Sequence, residues 1–187
     1  MNNRHLAGMV FTIVFIASLL SFNTAFAQFF GHPADEGKIV KGVLIRTYEP
    51  SFTVKIPNDM KLGKSYSNTT IWSGTQKVSP YSMNVDVYED VDDLDALSNG
   101  IINGFRGYAE SIKSKKFEVI RSEMIESYKG HEAKEIIFNW IWTDGTELTS
   151  VIHLIIKGDH TIGMSATTVG DTTPAIKIYK TINLDPK

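Results

Sequence analysis

The chain has 187 residues, no cysteine, and 19 basic against 21 acidic side chains, for a formal net charge of −2. That balance argues against a nucleic-acid surface. The lack of cysteine excludes disulfides, thiol catalysis and cysteine-ligated zinc.

Residues 1–27 read as an export signal. Arg4 and His5 form a short basic start, residues 6–20 are an apolar run, and Ala25-Phe26-Ala27 is an A-x-A cleavage site, so the mature chain begins at Gln28. The alternative is an uncleaved anchor. Residues 6–27 are long enough to span a bilayer, although Ser21, Asn23 and Thr24 weaken the second half. An uncleaved signal is the one route to the membrane, because no cysteine follows it for a lipid anchor. Removing residues 1–27 leaves 160 residues with 18 basic and 21 acidic side chains, a single-domain size. Such a domain buries about 70% of its unfolded surface, enough for a core without staples.

Residues 28–38 form a polar, glycine- and proline-broken lead-in, and residues 39–187 form one domain. Strand-forming residues fill 39–48. Glu49-Pro50-Ser51 turns the chain, and Phe52, Val54 and Ile56 alternate with polar residues up to Pro57. Residues 58–80 are the least regular part, with a short strand expected around Thr70-Ile71-Trp72. Irregular segments beyond about 12–15 residues tend to be functional or disordered. Tyr66, Ile71 and Trp72 interrupt this one, which makes it the expected binding surface. The competing reading tucks Trp72 into the core, where a lone Trp is usually found.

Tyr81, Met83, Val85 and Val87 alternate as a strand. The period then changes: Leu94, Leu97, Ile101, Phe105, Tyr108 and Ile112 form one apolar stripe of a helix over 92–114. Asp92, Asp93 and Asp95 at its start and Lys113, Lys115 and Lys116 at its end match the helix dipole. Gly100, Gly104 and Gly107 each cost the helix about 1 kcal/mol relative to Ala, from which close contact with a sheet is expected.

A strand over 117–127 leads through Lys129-Gly130 into a three-stranded meander over 129–168, with Asp144-Gly145 and Gly158-Asp159 as two-residue turns. In that register Trp140 faces Thr149, Phe138 faces Val151, Ile136 faces His153, and His153 faces Met164. One face then carries Ile136, Phe138, Trp140, Trp142, Val151, His153, Ile155, Ile162, Met164 and Ala166. The other carries Ala133, Ile137, Ile141, Leu148, Ile152, Leu154, Ile156, Gly163, Ser165 and Thr167. Both faces are largely apolar, so the sheet is expected to be covered on both sides. Small Gly163 and Ser165 leave room for a covering element. Asp171 reads as an N-cap, and Pro174 opens a short last helix through Ile182.

No catalytic constellation emerges. His153 reads as a core histidine with one satisfied ring nitrogen, because a lone histidine lacks the partners that catalysis or metal binding needs. His131-Glu132 lacks the second histidine of a zinc-protease motif, since Glu135 stands there. In 163–167 Thr167 replaces the second glycine of a nucleophile elbow. The acidic run from Glu89 to Asp95 lacks the central glycine and late glutamate of a calcium loop.

The order of parts resembles the PsbP-like α/β/α sandwich group, which includes the extrinsic photosystem subunit and DcrB-type bacterial envelope proteins. Residues 39–184 carry the likeness, through Phe52-Thr53-Val54-Lys55-Ile56-Pro57, Gly130 with Ala133, Asp144-Gly145, and the final Thr181-Ile182-Asn183-Leu184. The resemblance implies an α+β fold: an antiparallel sheet with one long helix and a short C-terminal helix on its faces. It also implies a non-enzymatic binding or assembly module of the cell envelope. Such a module has an envelope protein as partner, no nucleic acid, no cofactor, no metal and no catalytic residue. A carrier of a small apolar ligand between sheet and helix, and an unrecognised hydrolase, are the alternatives.

Overall fold

The computed structural model describes residues 39–40, 44–58, 60–62, 69–75, 82–91 and 93–186. The signal, the lead-in, the cleavage site and Tyr66 lie outside the described residues.

Ten strands and two helices are described: β1 (Ile39–Val40), β2 (Leu44–Tyr48), β3 (Ser51–Lys55), β4 (Met60–Leu62), β5 (Thr70–Thr75), β6 (Ser82–Glu89), α1 (Leu94–Ser111), β7 (Phe117–Tyr128), β8 (His131–Ile141), β9 (Glu147–Lys157), β10 (His160–Thr168) and α2 (Thr173–Tyr179). Eight strands form one antiparallel sheet in the order β1-β4-β5-β6-β10-β9-β8-β7, and β2 and β3 form a separate hairpin. This is the expected α+β sandwich. Within 58–80, β5 is the short strand expected around Thr70-Ile71-Trp72, and β4 is a strand that the reading of this segment missed. Both join the main sheet, with Lys61 opposite Thr75 and Leu62 opposite Gly74. Met-Lys-Leu is too short to alternate visibly, yet Met60 is fully buried and anchors the strand.

Each face of the sheet has its own core. On one, Leu94, Ile101, Ile102, Phe105 and Tyr108 of α1 pack on Ile136, Phe138, Trp140, Leu148, Ile152 and Leu154. On the other, Ala175, Ile178 and Tyr179 of α2 and Phe52 and Val54 of β3 pack with Val151, Ile155, Ile162 and Met164. Helix α1 starts where the Asp93 carboxylate accepts from the Asp95 and Ala96 backbone N–H groups, satisfying two of the four orphan donors. Buried Lys134 reaches from β8 to the Asp95 carboxylate and pins that end to the sheet. A second tie holds the α2 side: Thr53 and Asn183 exchange both backbone hydrogen bonds at 2.8 Å.

The register expected for the first meander hairpin is wrong by one residue. Trp140 pairs with Leu148, Ile137 with Val151, and Ile136 with Ile152. The loop has three residues, Thr143, Asp144 and Gly145. The Trp142 N–H donates to the Thr146 carbonyl at 2.8 Å, and Gly145 sits at φ 92°. This is a turn closed by a glycine bulge, the usual three-residue solution. Because side chains alternate, the slip moves Ile136, Phe138 and Trp140 to the α1 face, opposite the face of Val151, His153 and Ile155. The second hairpin has the expected register, with Lys157 opposite His160 and His153 opposite Met164.

Three smaller expectations also change. A Cβ on Gly100 or Gly107 would meet nothing within 4 Å, so these glycines mark no close contact with the sheet. The space above Gly163 is filled by a neighbour's ring instead of a covering element, since an added Cβ would lie 2.9 Å from Tyr88 Cε2. The N-cap of α2 is Thr172, while Asp171 accepts from the Thr173 N–H at 2.8 Å.

Candidate functional site

Among the described residues a group of titratable side chains meets where β7, β8 and β9 face α2. Position 135 of β8 stands opposite Glu123 on β7 and His153 on β9. Glu135 Oε2 meets His153 Nε2 at 2.8 Å, and its Oε1 accepts from Arg121 Nη1 at 2.8 Å. The Glu135 side chain is 11% exposed and that of His153 is 8% exposed. The imidazole lies against Tyr179 of α2, ring centroids 4.1 Å apart, and edge-on to Tyr128 at 6.1 Å.

Both tyrosine hydroxyls are committed to backbone. Tyr179 Oη donates to the Val151 carbonyl and Tyr128 Oη to the Tyr179 carbonyl. Lys129 Nζ donates to the Ile182 carbonyl. The last turn of α2 and the segment after it are therefore held to the sheet by Tyr128, Tyr179 and Lys129, and the two tyrosine rings lie against His153.

Burial pushes the His153 pKa down, and the hydrogen bond and charge of Glu135 oppose that less strongly. Geometry gives the tautomer. Nδ1 is buried without a partner, which a lone pair tolerates better than an N–H would. The neutral ring thus donates Nε2–H to the carboxylate. Burial, helped by the Glu135 charge, holds the Tyr179 hydroxyl protonated far above its ordinary range. The assembly is a clamp, with a carboxylate neutralised by Arg121, a neutral imidazole and two hydroxyls that donate to carbonyls.

A second polar cluster lies on the α1 face. Thr70 Oγ1 donates to the Asp86 carboxylate, and burial raises the Asp86 pKa to about 6 despite that bond. Tyr88, two residues on, is raised by burial and by Asp86.

Of the residues expected to form a binding surface, Tyr66 lies outside the described residues, and Ile71 and Trp72 differ in burial. Ile71 is 42% exposed, whereas Trp72 is 7% exposed within the α2-side core. The β5–β6 register shifts between Thr70 and Trp72, so Ile71 is a bulge residue, left exposed while Trp72 is buried. Gly74 leaves the space that the Trp72 indole occupies. The clamp residues Glu135 and Arg121 escaped the sequence reading because the slipped register set His153 opposite Ile136. Counting Thr143 into the loop would have placed Glu135 beside it.

Fold and site define an α+β sandwich of the PsbP-like type, with a buried polar clamp under its short helix. The solution structure of the cyanobacterial PsbP, CyanoP, from Synechocystis sp. PCC 6803 superposes with a TM-score of 0.57 at 13% identity, covering 82% of this chain and 98% of that one. PA94 of Pseudomonas aeruginosa, a protein of unknown function, gives 0.41 at 18% identity, covering 79% and 99%. LpqN of Mycobacterium tuberculosis, involved in cell envelope biogenesis, gives 0.44 at 12% identity, covering 76% and 90%. No family model and no curated protein matches the chain.

Proposed function

We propose that this chain is an exported, non-enzymatic binding or assembly module of the cell envelope. The observation that carries the reading is the use made of the titratable groups. Tyr128 and Tyr179 are spent on holding α2 to the sheet through backbone carbonyls, His153 packs against Tyr179 and bonds to Glu135, and Glu135 is bound in turn by Arg121. Chemistry on a substrate needs such groups aimed at a reacting atom. The basic, apolar, A-x-A order of residues 4–27 supports export. The PsbP-like fold supports an assembly role by analogy alone.

The contact surface we favour is the outer side of residues 58–80, with Ile71 and Tyr66 as contact residues and Trp72 as the internal support of that strand. The test is crosslinked capture from envelope extracts. Ile71→Glu with Tyr66→Ala should weaken capture of the partner severalfold and leave the melting temperature nearly unchanged. Capture that is unaffected by this pair, in a protein that remains folded, would place the surface elsewhere. Turnover of a hydrolysable substrate that His153→Ala abolishes would overturn the non-enzymatic reading.

A further inference from the structure

Strand β7 closes one end of the eight-stranded sheet, and among the described residues only its inner side is paired, with β8. It is 12 residues long, and Ile120 and Met124 on it are 52% and 48% exposed. A free edge of this length is a template for another strand unless something blocks it. Two blocking devices are present. Bulges fall between Val119 and Arg121 and between Ile125 and Tyr128. Charges stand at Glu118, Arg121, Glu123 and Glu126.

Neither device excludes a second copy of the same strand. The bulges bracket a regular run, 121–125, in which each residue pairs with β8 in succession. A two-fold axis perpendicular to the sheet keeps each face continuous across the junction. Residues that meet must then share a face, so the axis passes through a residue. Centred on Arg121, the pairing sets two guanidinium groups opposite each other; centred on Glu123, two carboxylates. Centred on Ser122, Arg121, which also pairs with Glu123 of its own strand at 3.5 Å, meets Glu123 of the other copy twice, with exposed Met124 and the bulge residue Ile120 flanking the junction. Opposite charges directly across antiparallel strands are favourable, and like charges are not.

We propose that β7 is a self-complementary edge through which two copies of this chain pair antiparallel about Ser122, joining their sheets. The exposed apolar residues and the opposite charges of Arg121 and Glu123 then serve one purpose. The edge is closed to most strands and open to its own.

The absence of cysteine makes the register directly testable. Light scattering on the intact purified protein should show a reversible dimer at about 100 μM, lost in the Ile120→Lys/Met124→Lys variant. Under mild oxidation by glutathione disulfide, Ser122→Cys should form a dimer-linking disulfide. Glu126→Cys should not, because its counterpart lies eight positions away, about 27 Å at the strand rise. A wild-type protein that stays monomeric at that concentration overturns the proposal. So does a dimer that survives the double lysine change, or crosslinking at position 126 as readily as at 122. Should the lysine variant fail to fold, the two cysteine variants decide the matter alone, since both positions are exposed.

Discussion

Replacing His153 by alanine removes the centre of the clamp, and its cost can be worked from the contacts. The Nε2–H donates to a carboxylate at 2.8 Å, and a hydrogen bond to a charged group contributes about 1.5–3 kcal/mol. The ring also packs against two tyrosines, and its loss leaves a small cavity worth about 1 kcal/mol more. The expected loss is therefore about 2–4 kcal/mol. For a domain of this size that lowers the melting temperature by about 5–15 °C. His153→Gln keeps a donor for Glu135 and should lose about half as much.

The same residue makes a signed prediction in pH. Burial holds the folded pKa of His153 below its ordinary 6.5. Above that value neither folded nor unfolded chain binds the proton, and the stability is full. As pH falls through 6.5, the unfolded chain takes up a proton that the folded chain resists, so stability falls until the folded pKa is reached. Urea unfolding of the wild type and of His153→Gln from pH 8 to pH 5 isolates this term, because all other groups are common to both. The advantage of the wild type should shrink below pH 6.5. An advantage that is constant or grows towards acid would refute the neutral, desolvated imidazole and with it the clamp as described.

Asp86 works in the opposite direction. Its carboxyl is raised from 3.8 to about 6, so the folded chain keeps a proton that the unfolded chain releases, and stability falls as pH rises between those values. Asp86→Asn should therefore stabilise the protein at pH 7 by about 1–3 kcal/mol and have little effect at pH 4, measured by denaturant titration at both. Gly100→Ala should raise stability by about 0.5–1 kcal/mol, because the site is exposed, helical and open to a methyl group; a loss would mean that the backbone there is not helical. Gly74→Ala should lower stability by about 1–3 kcal/mol by displacing the Trp72 indole, seen as a change in tryptophan fluorescence together with earlier melting. N-terminal sequencing of the exported form should begin at Gln28, and a chain that retains its first residues would show an anchor instead.

The sequence alone determined the kinds of element and much of their order. Helix α1 follows from the spacing of Leu94, Ile101, Phe105 and Tyr108, because a 3.6-residue period has no other reading over that length. The β9–β10 register follows from Gly158-Asp159, where Gly158 takes φ 65° as a two-residue loop requires. What tertiary structure decided is how β8 meets β9. Asp144-Gly145 fits both a two-residue loop and a three-residue loop with Thr143, and the local chemistry of the two is nearly equal. The choice falls to packing. One register alone lets Phe138 and Trp140 lie with Leu148 and Ile152 under α1, and lets Ala133 and Ile137 lie with Val151 and Ile155 under α2. The same choice brings Glu135 beside His153. A contact between residues 18 apart in sequence depends on one residue of loop length, and only burial on both faces of the sheet fixes that length.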